Sequence, residues 1–315
     1  MANRIWIGGA GGATTTWSTA ANWSPATVPI TGDNVYIYGQ DTMYDIDAGL
    51  DASAVTLAVL QVDQSYTGKI GTASAYLQVG ATNCIIGLNP LNTVSSGSGR
   101  ININFGAVQT TMKVFATSQS ATSTGVQPVQ VLGTHASNAL YVMGGLVGVA
   151  SLTAAEVSTF STIGLVKATG SPPDVILGKG VTITTLNMAA GRLLSVDDDV
   201  SPTKTYTTFY QSGGTATVFG GTIFTTLSIY NSESKFIRRC TGTITTLNLG
   251  NATFDGSQDQ RALTITSTNL YKGAKLLLNN GKLNSYTFTN GPLTNGCAVQ
   301  DVTVLTEIGQ RLQLT

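Results

Sequence analysis

Five segments in the second half of the chain share one order of hydrophobic and polar positions. Val181-Thr-Ile-Thr-Thr-Leu186 is echoed by Thr205-Tyr-Thr-Thr-Phe209, Thr222-Ile-Phe-Thr-Thr-Leu227 and Thr243-Ile-Thr-Thr-Leu247, with a looser copy at Leu263-Thr-Ile-Thr-Ser-Thr-Asn-Leu270. The closing apolar residues, Leu186, Phe209, Leu227, Leu247 and Leu270, are spaced by 23, 18, 20 and 23 residues. Each copy is followed by turn formers: Gly191, Gly213 with Gly214, Asn231 with Ser232, Gly250 with Asn251, and Gly273. A second apolar strand then begins, marked by Leu193, Ala216, Phe236, Phe254 and Leu276. Short strands separated by Gly/Asn/Ser turns in a unit of about 20 residues predict one coil of a β-solenoid.

Such coils bury their apolar faces only against the coils above and below. The five closing residues are therefore expected to form a core ladder, with the flanking threonines in outward ladders. Helix is disfavoured because the segments are β-branched and lack a 3.6-residue period.

The first half repeats less cleanly but reads as the same class. Apolar strands are expected at 35–38, 55–62, 76–79, 101–105, 112–115, 129–132, 140–143, 146–149, 163–166 and 175–177, mostly separated by Gly or Ser/Asn clusters. Thr153-Ala-Ala-Glu156 has the form of a capping box, but a strand over 157–166 is preferred. Residues 89–100 and 117–125, rich in Ser, Thr, Gly and Ala, read as polar loops. The organisation expected is a cap module at 1–50, an irregular solenoid at 51–173 and regular coils at 174–315, with Ser171-Pro-Pro173 interrupting pairing near the last boundary.

Composition narrows the function classes. There are 48 threonines, favouring an all-β fold, and 16 basic residues balance 16 acidic ones. Arg238-Arg239 is the only basic doublet of note, so nucleic acid is not expected as a partner. Cys84, Cys240 and Cys297 lack metal-ligand spacing and read as reduced, buried thiols. No window approaches a membrane span, and the N-terminus has no apolar core of a secretion signal, so first folding in a cytoplasm is expected.

At the N-terminus, Trp6-Ile-Gly-Gly9 is followed by Trp17-Ser-Thr-Ala-Ala-Asn-Trp23 and by Pro29-Ile-Thr-Gly-Asp33-Asn-Val-Tyr-Ile37. This resembles the opening module of bacterial β-helix surface proteins and of β-helical phage structural proteins. Tyr66-Thr-Gly-Lys-Ile-Gly71 similarly resembles an early coil of such proteins. The match covers about the first 80 residues and transfers no catalytic residue. Without a recognisable leader, the phage alternative is favoured over a secreted one.

Candidate chemistry is sparse. Gly8 to Gly12 superficially matches a dinucleotide fingerprint, yet the residues after it are poor helix formers. Trp6, Trp17 and Trp23 are instead expected to cap the open end of the solenoid core. Asp41, Asp45, Asp47 and Asp51 form an acidic cluster that is a weak Ca²⁺ candidate, because their spacing matches no known calcium loop. Asp197-Asp-Asp199 reads as a hydrophilic turn. Three glutamates, Asp255 with Asp259 as the best aspartate pair, and a single histidine, His135, in a turn give little material for acid–base or triad chemistry. Asn22-Trp-Ser24 and Asn251-Ala-Thr253 fit glycosylation acceptors only if a secretory route exists.

The expectation is a non-enzymatic virion protein, assembled in a host cytoplasm without a cofactor. It would decorate or cement a phage capsid as a homotrimer, with the major capsid protein or other virion subunits as partners. The alternatives are a tail spike or receptor-binding protein that reads host glycans, and a bacterial surface adhesin.

Overall fold

A strand whose inward residues are Leu, Phe and Ile and whose outward residues are Thr cannot bury its apolar side alone, and here it does so by stacking on its own kind. The computed structural model describes residues 1–39, 41, 44–72, 74–87, 101–115, 127–150, 156–166, 172–197, 204–240, 242–257, 263–278, 283–288 and 303–306. One series of strands, including Ser158–Leu165, Val181–Met188, Thr205–Gln211, Ile223–Tyr230, Thr243–Gly250 and Leu263–Leu270, pairs in parallel along the molecule. A second series, including Gly145–Val149, Pro173–Leu177, Arg192–Ser195, Thr215–Gly220, Lys235–Cys240 and Thr253–Gly256, does the same. The chain alternates between the two, so each passage through both completes one coil of a parallel β-solenoid. Near the start, Asp51–Val62 and Leu77–Ile86 each run through both series, pairing Asp51 with Gln78 and, after a register shift, Leu60 with Cys84.

The Thr-Thr pair has a geometric job. In a straight strand side chains alternate, so two residues flanked by inward neighbours cannot both face outward. Yet Ile183 and Leu186 are both buried while Thr184 and Thr185 both face out, and the same holds for Tyr206 and Phe209, Phe224 and Leu227, and Ile244 and Leu247. The ladder skips Thr184, Thr207, Thr225 and Thr245 and resumes at the second threonine. The pair is a corner that folds each long strand into two short faces. Thr185, Thr208, Thr226 and Thr246 stack in register along that edge.

The inward column after this corner is continuous. Leu186 aligns with Phe209, Phe209 with Leu227, and Leu227 with Leu247. The next partner of Leu247 is Thr268, not Leu270, which lies two residues further on, pairs with Leu249 and is only partly buried. The expected ladder position of Leu270 is thereby corrected: the corner falls at Thr266-Ser267, and Thr268 matches valine in shape closely enough to fill the column. Upstream the column extends through Ile163, Leu140, Met112, Cys84 and Leu60 to Val35. Its steps there are 23, 23, 28, 28, 24 and 25 residues, against 23, 18, 20 and 21 from Leu186 onward. Pairing crosses residues 170–174 without a break, as Val147 aligns with Val175 and Val175 with Leu193.

Of the other expectations, the strand preferred over 157–166 forms as Ser158–Leu165. The loops expected at 89–100 and 117–125 lie outside the described residues, as does Cys297. Within the later coils, aromatic rings fill the interior. Tyr206 stacks on Phe224 at 5.2 Å between centroids and Phe236 on Phe254 at 5.5 Å, with Phe209 edge-on to Phe224 and Phe236. The turns after the long strands use left-handed residues at Gly191, Gly214, Asn231, Asn251 and Gly273. At Gly191 a Cβ would lie 2.0 Å from the Pro173 carbonyl oxygen of the preceding coil, so glycine is required by packing as well as by φ.

Leu227→Asp, which places a carboxylate between Phe209 and Leu247, should cost at least about 4 kcal/mol and abolish the cooperative melt seen by circular dichroism. Thr225→Asp, on the exposed corner of the same coil, should stay within about 0.5 kcal/mol of wild type. Equal effects of the two would show that the inward column has been placed wrongly.

Candidate interaction face

The N-terminal residues flagged in the sequence converge on one end of the stack. Asn3–Trp6 pairs in parallel with Asn34–Ile37 below it, while Trp23–Ser24 runs antiparallel on its other side and ends the parallel array. Trp6, Trp17 and Trp23 are buried and pack edge-on, at 5.1 Å for Trp6 with Trp23 and 4.7 Å for Trp17 with Trp23. Two of the indoles are anchored, Trp6 Nε1 donating to the Tyr44 carbonyl and Trp23 Nε1 to that of Trp17, while Trp17 Nε1 is buried without a hydrogen-bond partner among the described residues. Asn22, fully buried, accepts from the Ala10 N–H and donates to the Ala13 and Thr16 carbonyls, tying down the glycine-rich turn. Asp33 accepts from the Ala2 and Ile30 N–H groups and from Arg4 Nε at 3.0 Å. Burial pushes the Asp33 carboxyl upward, but these hydrogen bonds and the Arg4 charge outweigh it and leave its pKa below the ordinary carboxylate value.

The acidic cluster does not assemble. Asp45 accepts from the Lys69 N–H, Asp51 caps its own turn through the N–H and hydroxyl of Ser53, and Asp41 and Asp47 are exposed. Among the described residues no three His, Cys, Asp or Glu side chains group as metal ligands. His135 accepts the Ser137 N–H within its turn, and Asp255 accepts from Ser257 and lies 3.9 Å from Lys235. Cys84 is a free, buried member of the core column, its thiol pushed up to about 12 by burial.

Two fully buried cations, Lys204 and Arg238, escaped sequence reasoning. Lys204 is fully buried, and its Nζ donates to the Gly178 carbonyl at 2.7 Å, to the Val196 carbonyl at 2.6 Å and to Ser195 Oγ at 3.3 Å. Ser195 in turn shares a 2.8 Å hydrogen bond with the Tyr206 hydroxyl. Asp197, read as part of a hydrophilic turn, is buried and accepts the Lys204 backbone N–H. Burial lowers the Lys204 pKa to about 7 against the opposing pull of Asp197. The group links three successive coils from inside.

The outward positions give the solenoid distinct faces. The corner edge is threonine. The second strand series carries a column running from Asp174 through Arg192, Thr215, Lys235 and Thr253 to Lys275, in which Arg192 pairs with Asp174. Beside it lie Ile176, Leu194 and Ile237, flanked by long basic side chains whose stems can cover apolar surface.

The face that follows the corner differs. Its first outward column runs from Ile5 through Tyr36, Gln61, Ile85, Lys113 and Tyr141. It continues through Gly164, Asn187, Tyr210, Ser228, Asn248 and Asn269, making twelve rungs in all. Two residues further along each strand comes the next outward position: Ile7, Tyr38, Asp63, Gly87, Phe115 and Met143, then Val166, Ala189, Ser212, Tyr230, Gly250 and Tyr271. Of these 24 positions only Asp63 and Lys113 are charged, and twelve are Ile, Val, Met, Phe or Tyr. Tyr230 rests over Gly250, where a Cβ would lie 3.0 Å from its ring, and touches Tyr210 and Tyr271 at centroid distances of 5.8 and 6.0 Å. Asn269 donates to Asn248, and Asn248 to Ser228, in an amide ladder beside the rings.

Comparison with known proteins gives no match to any family model, curated protein or solved structure. The face was legible only through the register. Its signal is the first and third residue after each closing apolar residue, as in Asn187 and Ala189 or Ser228 and Tyr230, and these share no residue type.

Two titrations check the buried charges. Asp33→Asn should cost about 3 kcal/mol or more at neutral pH, because it leaves Arg4 buried beside a neutral amide. The stability that ionised Asp33 contributes is present above its unfolded pKa of about 4 and lost as pH falls through the lower folded value, so the gap to wild type should close on acidification. Lys204 works in the opposite sense. With a folded pKa of about 7 against 10.5 in its ordinary state, the unfolded chain binds more protons between these values, and stability should rise with pH across that window. Above about pH 10 the raised pKa values of buried Tyr66 and half-buried Tyr76 should reverse the trend. Urea titrations of wild type and Lys204→Met at pH 7 and 9 test this: a rise undiminished in the variant would assign it to other groups.

Proposed function

We propose that this chain is a non-enzymatic structural subunit of a bacteriophage virion, a rigid solenoid that decorates the assembled head and cements it. The supporting observation is that most of the described residues which gave a chemical reading in the sequence are occupied with holding the coil. The tryptophans and Asp33 close its end, Asp45 and Asp51 hold turns, Cys84 fills the core, and His135 and Asp255 complete local hydrogen bonds. A parallel β-solenoid is compatible with phage structural proteins and tail spikes alike, and the N-terminal module resembles theirs. A ligand that binds only the assembled shell stabilises it by mass action, by about 2.7 kcal/mol per site when present at a hundred times its Kd. A solenoid of many stacked coils suits that task because it is long enough to touch neighbouring shell subunits at once.

A second reading has its own observation. Tyr210, Tyr230 and Tyr271 beside the Asn248–Asn269 ladder combine aromatic rings with amide donors and acceptors, a chemistry that sugar rings and hydroxyls can use. It favours a tail spike that reads host glycans.

Quantitative mass spectrometry of purified heads and tails from the phage that carries the gene separates the two. The cement reading expects the protein on heads, at a fixed ratio to the major capsid protein, and heads lacking it should lose their DNA at a lower temperature. Recovery on tails, together with glycan binding by the isolated protein, would replace cement with receptor recognition. Absence from virions would end both.

A further inference from the structure

We propose that the tyrosine-bearing face is where copies of this chain pack against one another, solenoid beside solenoid. The proposal does not rest on the virion reading and would hold equally for a surface protein.

Its first support is chemical contrast. Among the described residues eight large hydrophobic side chains are exposed, and Ile7, Val166, Tyr210 and Tyr271, half of them, lie on this one face. Phe115 and Met143, on adjacent rungs, are half-buried. The face across the solenoid keeps its aliphatic residues beside Arg192, Lys235 and Lys275 and so remains suited to water. Here nothing comparable intervenes, because Lys113 and Asp63 are the only charges, and Asp63 already accepts from Ser65.

Extent is the second support. Twelve rungs at about 4.8 Å make a strip about 50 Å tall, and two outward columns with their side chains are about 10 Å wide. Each copy would contribute on the order of 500 Å², and a pair about 1,000 Å², which reaches the lower end of specific interfaces. An exposed strip of several hundred Å² is itself at the upper limit of what monomers show.

The shape of the strip selects the occupant. The strip is continuous in register, periodic at the rung spacing and runs from Ile5 to Asn269. A second copy of the solenoid has the same length and the same period, so each rung can meet a rung. Its formal net charge of zero removes the long-range repulsion that would oppose bringing identical chains together. With one adhesive face per copy, association closes after a few subunits instead of growing into a filament, and the homotrimer expected in the sequence analysis is one such closed form.

The test uses the full chain. Sedimentation velocity across micromolar concentrations should show a discrete oligomer for wild type. Val166→Asp combined with Tyr210→Asp, near the middle of the strip, should weaken association on the order of a hundredfold or more. Thr184→Asp on the corner should leave it unchanged. Circular dichroism melts establish that each variant keeps its coils. As a check that does not depend on destabilising the face, Val166→Cys placed in a chain carrying Cys240→Ser and Cys297→Ser should give a covalently linked oligomer on mild oxidation, which the same chain with Val166 kept and Cys84 buried should not. A wild type that stays monomeric, a folded double variant that associates normally, or a Val166→Cys protein that does not link would each overturn the proposal. So would a monomeric wild type whose face variants lose binding to phage heads or to glycans, since the face would then serve a different partner.

Discussion

No coil of this protein closes a core of its own. The inward column from Val35 to Thr268 is buried only because each member sits between the equivalents one coil above and below. This nearest-neighbour dependence governs the other features. It ties register to burial: a slip of one residue would turn Leu227 outward and Thr226 inward. It explains why the turns are stereotyped, because Gly191 and Gly214 must let one coil approach the next closely enough for the ladder to continue. It also accommodates buried cations, Arg238 in register with Val218 and Lys204, whose ammonium satisfies the Gly178 and Val196 carbonyls, provided neighbouring coils hold them in place.

The same dependence makes the ends weak points. An open first coil would expose its apolar interior and an unpaired strand edge. The chain answers both with one short module. Trp23–Ser24 reverses direction and occupies the edge of Asn3–Trp6, and three indoles fill the interior above the first parallel rung. Asn22 and Asp33 then satisfy the backbone N–H groups and carbonyls that this tight reversal would otherwise strand. The motif that carries the family resemblance is thus a set of solutions to one problem, how to begin a solenoid. It follows that the resemblance speaks to architecture and leaves the partner open.

How much of this the sequence disclosed depended on residue type. Leu186, Phe209, Leu227 and Leu247 were legible because the same Thr-Thr corner precedes each at nearly constant spacing. The same column at Cys84, Met112 and Leu140 was hidden, since the coils there take 23 to 28 residues, the pairs before Cys84 and Leu140 are Thr82-Asn83 and Asn138-Ala139, and the one Thr-Thr pair, Thr110-Thr111 before Met112, stands alone among them. Leu270 was misplaced because a search for an apolar residue passes over Thr268, although that threonine fills the same volume as valine. The Thr-Thr pair was seen as an outward ladder but not as a corner, because period-two alternation hides the one residue at which it fails. The acidic cluster at 41–51 looked concerted only along the chain, and Asp45 and Asp51 face different turns. The tyrosine face could not be read at all from single strands, for it exists only when Tyr36, Tyr141 and Tyr210, far apart in sequence, are brought into one column.

That face shows how a solenoid turns weak local preferences into a surface. One rung offers an outward pair such as Asn187 and Ala189, too little area to hold any partner against the entropy of association. Repeated over twelve rungs in register, the same absence of charge becomes a continuous strip, and the cost of orienting a rigid rod is met once for all of them. Contacts of the proposed kind strengthen with the number of coils aligned, so their selectivity would come from length and matched period more than from any single pocket. A partner that is short or curved engages only a few rungs and gains little. The coil that builds the core therefore also sets the kind of object the surface can recognise, one that is long, rigid and matched to its period.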